Sequence, residues 1–104
     1  MSDRANSLRG EASFSIAGTD HVLRPSFENL VAAEEELGSL FALVERASAG
    51  SITLNEISAL LWHCLPAADR PNRETVGEAV LATGLVKAIV PVRAVLAQVL
   101  QGDL

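Results

Sequence analysis

The sequence predicts an α+β fold, mostly α, in which an N-terminal β-hairpin packs on a bundle of about four to five helices. Three observations point there. Hydrophobic residues make up 49% of the 104 and aromatics only 4%, so the core must be built from Leu, Val, Ala and Ile, which favours packed helices. From Glu11 to Ala17 apolar and polar residues alternate, the period of a half-buried strand. From Ser26 onward apolar residues recur at helical spacing between recognisable caps. A chain of this length supports one core of modest stability, so residues 9–104 are read as a single domain behind a loose polar lead-in, residues 1–8.

Residues 9–24 are read as the hairpin. Ala12, Phe14 and Ile16 form its apolar side, Gly18-Thr19-Asp20 the turn, and His21 to Arg24 the second strand. A lone hairpin is marginal in water, so the Phe14 and Ile16 side must lie against helices.

Residues 26–65 form a helical spine. Ser26 caps a helix ending near Leu37 and Gly38, with Phe27, Leu30, Val31 and Leu37 on one side. Glu34, Glu35 and Glu36 form an acidic run; Glu34, at the edge of the apolar side, would need an arginine partner if buried. Ser39 caps the next helix, whose apolar face comprises Leu40, Phe41, Leu43 and Val44. Gly50 supplies the bend after it. Thr53 and Glu56 have capping-box spacing at the start of a third helix, on which Leu54, Ile57, Leu60, Leu61, Cys64 and Leu65 make one stripe. His63 falls nearly opposite that stripe and is expected at the surface, while Trp62 flanks it, either sealing the core edge or anchoring a partner.

Residues 66–72 are a linker by composition, and residues 73–101 hold the C-terminal helices. Val76, Ala79, Val80 and Thr83 share a side of the first, and Gly84 ends it. In the last, Lys87, Ala94, Gln98 and Gln101 define a narrow polar face with Pro91 beside them, where a kink can be hydrated. The opposite face, Leu85, Ile89, Val92, Val95, Leu96, Val99 and Leu100, is widened by Val86 and Val90 beyond what one small domain needs. Trp62, Val86, Val90, Val95 and Val99 are therefore the candidate partner-binding residues, and Gly50, Thr53 and Glu56 the structural ones.

Several function classes fall away. Thirteen acidic against eight basic residues give a charge of −5, which opposes direct nucleic-acid binding. Cys64 is alone, and residues 1–11 lack the apolar run of a signal peptide, so the cytoplasm is the expected location. A membrane span over Ala79 to Leu100 would enclose Lys87 and Arg93 at about 2.5–3.5 kcal/mol each, besides Gly84 and Pro91. Gly50, Ile52 and Glu56 imitate a calcium hand, but counting back from Glu56 puts Ala47 and Ala49 at ligand positions. A calcium-responsive module is thus the weaker rival reading. There is no phosphate loop, metal-ligand spacing or nucleophile–base pair, so no enzyme and no cofactor are expected.

The run LRGEASFSIAGTDHVLR, the glutamate-bearing helix from Leu30 to Leu37, the segment LFALVERASAG and the leucine-rich helix after it resemble the gene-transfer-agent type of phage tail assembly chaperone, a family also labelled tail tube protein. The likeness covers roughly residues 8–65; beyond them it extends only to a late Gly84 followed by an apolar helix, and Pro91 departs from it. The resemblance implies a non-catalytic protein that holds tape measure or other tail proteins during tail assembly. A tail tube subunit that self-assembles as a homo-oligomer is the alternative it implies.

Overall fold

The computed structural model describes residues 12–102, so the lead-in expected at residues 1–8 and the Arg9-Gly10-Glu11 entry to the hairpin lie outside the described residues. Two strands, β1 (Ser13–Ile16) and β2 (Thr19–Val22), precede five helices among the described residues: α1 (Phe27–Leu37), α2 (Leu40–Ala49), α3 (Leu54–His63), α4 (Arg73–Thr83) and α5 (Leu85–Gln101). The α+β, mostly α, architecture is the one the sequence predicts.

The strands pair antiparallel with Ser13 opposite Val22 and Ile16 opposite Thr19. That register corrects the expected turn. Ala17 and Gly18 alone connect the strands, both at positive φ (52° and 84°), as a two-residue hairpin loop whose twist matches its strands requires. Thr19 and Asp20 are consequently strand residues. Phe14 and Ile16 are buried on the side that meets α4 and α5, as the alternation demands. The Leu23 amide donates to the Ala12 carbonyl at 2.8 Å, and the Arg24 amide to the Cys64 carbonyl at 2.6 Å, which ties the hairpin to the end of α3.

α3 is the central element and packs on α1, α4 and α5. Ile57, Leu60, Leu61, Cys64 and Leu65 are buried, whereas Leu54, at the first position, is exposed. Burial also pushes the Cys64 thiol up to about 12, in keeping with a core side chain. The capping box closes as its spacing requires: the Thr53 amide donates to Glu56 Oε1 at 3.0 Å and the Glu56 amide to Thr53 Oγ1 at 3.1 Å. Gly50 takes the left-handed conformation after α2, where a side chain would be strained, and its N–H caps the Arg46 carbonyl. Ser26, Ser39 and Asn72 cap α1, α2 and α4 through side-chain oxygens.

Several residues assigned to apolar faces stand in solvent. Phe27, Val31 and Phe41 are exposed, and Leu30, Ala33, Leu37 and Leu43 do the packing, because α1 and α2 meet the core over a narrower arc than their composition suggests. Glu34 is exposed, its carboxylate accepting the Leu40 amide at 3.0 Å. In α5 the expected polar face is displaced. Pro91 is buried rather than hydrated, Gln98 turns its Oε1 inward, and Val86, Val90, Arg93 and Ala97 face out with Lys87. Val92, Val95, Leu96 and Ala88 face the core.

Candidate partner-binding surfaces

The first candidate surface is built around Trp62, near the end of α3. Its indole N–H donates to the Pro71 carbonyl at 2.9 Å, so the segment after α3 folds back over the ring. The Arg70 and Arg73 guanidinium groups lie over the indole at 4.3 and 4.2 Å, within cation–π range. Arg70 also donates to the Leu65 carbonyl at 2.9 Å and the His63 carbonyl at 3.2 Å, placing a cation at the negative end of α3. Trp62 is half-buried and its polar atom is committed. It works here as a clamp that joins α3 to α4.

Beside it, His63 is buried, against the expected exposure, with its ring edge-to-face on Trp62 at 5.0 Å. Its Nε2 lies 2.8 Å from Glu36 Oε1; an ionised carboxylate only accepts, so this nitrogen carries the hydrogen. Arg73 grips both oxygens of the same carboxylate, one at 2.6 Å. The arginine bond first, then the histidine bond, holds Glu36 down from 4.5 to about 2. These partners escaped the sequence reading. The only signal for them was the placement of two arginines around Pro71, shortly after the lone tryptophan.

Glu56 is similarly occupied. Besides the Thr53 amide it pairs with Arg46 across the α2–α3 turn, and the arginine bond, foremost, lowers its pKa. Among the described residues no three of His, Cys, Asp and Glu converge as a metal site.

The second candidate surface is the outer side of α5. Val86 is 84% and Val90 64% exposed, one turn apart on the same face; Leu85 and Leu100 at the two ends of α5, and Leu81 on α4, are exposed as well. Val99 is partly buried against the core, and Val95 is only 1% exposed. Val95 therefore offers nothing to a partner in this fold and is withdrawn from the candidate set. Between α5 and α2 runs an open groove of about 250 Å³, lined by Val44, Ala47, Leu96, Ala97 and Leu100, across which Arg93 donates to the Ala47 carbonyl at 3.3 Å.

No single helix among the described residues is long and apolar enough to cross a membrane; α4 and α5 together reach that composition but bend by 117° at Gly84. No curated protein and no solved structure matches the chain. One protein family does, over residues 9–102, which takes in the hairpin, all five helices and both candidate surfaces. The chain accordingly belongs to the family described as Phage tail tube protein, GTA-gp10, and is a phage or gene-transfer-agent tail protein.

Proposed function

We propose that this tail protein is a non-catalytic assembly chaperone that works in the host cytoplasm, without a cofactor, and covers an apolar segment of the tape measure protein or another tail subunit. The observation that carries this reading is the outer face of α5, where Val86 and Val90, one turn apart, are exposed at 84% and 64%. Isolated exposed leucines and valines are ordinary, whereas two large apolar side chains stacked on one exposed helix face support the reading of a surface for another protein. A chain with charge −5 stays soluble while presenting it.

Co-expression with the tape measure protein of the same particle tests the proposal. The expected result is a soluble complex that Val86→Asp with Val90→Asp weakens at least tenfold while the circular dichroism of the free chain is unchanged. A tape measure protein that neither binds the wild-type chain nor gains solubility from it would overturn the reading. The description of the family favours a second reading, a tail tube subunit, for which the same preparation would yield rings or tubes on its own.

A further inference from the structure

The exposed side chains of α5 recur at a regular spacing. Val86, Val90, Arg93, Ala97 and Leu100 are all exposed and follow one another at steps of four, three, four and three residues, the heptad spacing of a helix-packing seam. The core side of the same helix already uses that spacing: Ala88, Val92, Val95 and Val99, at steps of four, three and four, pack into the fold. From Val86 to Leu100 the outer stripe runs about 21 Å, or four helical turns. Along its C-terminal half α2 adds a wall of Val44, Ala47 and Ser48, which makes a groove beside Arg93, Ala97 and Leu100. The stripe is apolar but for Arg93. That guanidinium donates to the Ala47 carbonyl at 3.3 Å and, among the described residues, pairs with no carboxylate, whereas Arg46 and Arg73 hold Glu56 and Glu36. Lys87 flanks the stripe, and α5 has no acidic residue.

We infer that this stripe takes one helix of a partner tail protein, laid along α5 in coiled-coil fashion, whose own heptad seam is aliphatic except for one aspartate or glutamate set opposite Arg93. The inference rests on the reading of α5 as the partner-covering face and adds what the partner must offer to it. Charge complementarity selects the occupant. A wholly aliphatic helix across the stripe would take the Arg93 guanidinium out of water with one neutral carbonyl for a partner, and a buried cation without a counter-charge is costly. A carboxylate at that seam position offsets the cost. Because it fits at one place only, it also fixes the register of the added helix, as a lone polar residue does in a coiled-coil seam. Lys87, at the edge of the stripe, favours a further acidic residue on the flank of the partner helix. Over the C-terminal half, the α2 wall turns the contact into that of a helix seated in a groove.

The test is fluorescence anisotropy of a labelled three-heptad peptide, at nanomolar concentration, titrated with the full chain. The peptide carries leucine at every seam position but one in its central heptad, which is glutamate in one version and lysine in the other. Wild type should bind the glutamate version at least tenfold more tightly than the lysine version, and Arg93→Glu should reverse that order. Arg93→Gln, which removes the charge but keeps an amide to donate to the Ala47 carbonyl, should bind the two versions alike, with the circular dichroism of the free chain unchanged. A wild-type chain that binds neither version, or both equally, overturns the inference. So does a wild-type chain that dimerises by itself and becomes monomeric on Ala97→Glu, since a second copy would then occupy the stripe. The outcome is separable from that of the chaperone reading. A tape measure complex weakened by Val86→Asp with Val90→Asp, beside peptides bound without regard to charge, keeps the chaperone and overturns the heptad match. Peptides that obey the charge swap, on a chain that holds no tape measure protein, keep the stripe and its chemistry and remove that one partner.

Discussion

The carboxylate of Glu36 joins three segments that are remote in sequence: α1, the last residue of α3 and the first residue of α4. Because Arg73 and His63 favour its charged form, its pKa falls from 4.5 in the free side chain to about 2 in the fold. A depressed carboxylate contributes stability that is full above the unfolded value and disappears as pH drops through the folded one. The window is therefore pH 4.5 down to about 2. With its side chain 32% exposed, solvent screening reduces the contribution to about 1 kcal/mol. Urea unfolding of wild type and Glu36→Gln should show that gap at pH 6 and its closure toward pH 2; a constant gap would mean that the carboxylate acts by shape alone. The pairing was not legible in the sequence. Helical spacing ranks Glu34 above Glu36 for burial, but Arg73 lies 37 residues beyond Glu36, and periodicity says nothing about partners that distant. The same blindness put His63 on the surface.

Among the elements, what was legible is what local chemistry decides. Ser26, Ser39 and the Thr53–Glu56 box start their helices where short-range hydrogen bonds allow, and Gly50 ends α2 as a glycine should. The hairpin was legible as a pattern, but its loop was not, because Ala17 is a poor residue for the conformation it takes. An alanine at φ 52° crowds its own backbone, and the sequence reading accordingly sought the turn further on. Asn-Gly is the preferred pair for such a loop. Ala17→Asn should therefore raise stability by about 0.5–1 kcal/mol, seen as a higher denaturant midpoint at unchanged slope. A loss of stability would mean that the Ala17 methyl group does something the loop geometry does not reveal.

Across the molecule, apolar material is divided between holding the fold and facing outward, and α5 carries both shares on one helix. The excess width of its apolar face could be read from the sequence, and so could the two valines that widen it, Val86 and Val90, which stand exposed; that Val95 belongs to the core could not, because that depends on where α3, α4 and the hairpin lie around the helix. Pro91 shows the difficulty. A prolyl ring suggests the side where a broken backbone bond meets water, yet here the ring fills core space and the outward side goes to Val86 and Val90. Two substitutions on this helix should then behave oppositely. Val95→Ala removes methyl groups from a site only 1% exposed and should cost about 1–3 kcal/mol, lowering the melting temperature by about 4–8 °C for each kcal/mol. Val86→Ser with Val90→Ser replaces exposed residues by one of similar helix propensity and should shift stability by no more than about 0.5 kcal/mol per site. Binding should rank them the other way: below its melting temperature the Val95→Ala chain keeps its tail partner, and the doubly substituted serine chain, though fully folded, loses it. Calorimetry paired with pull-down reads both quantities from the same preparations, and a serine variant that melts early would show that α5 turns its outer valines toward the core after all.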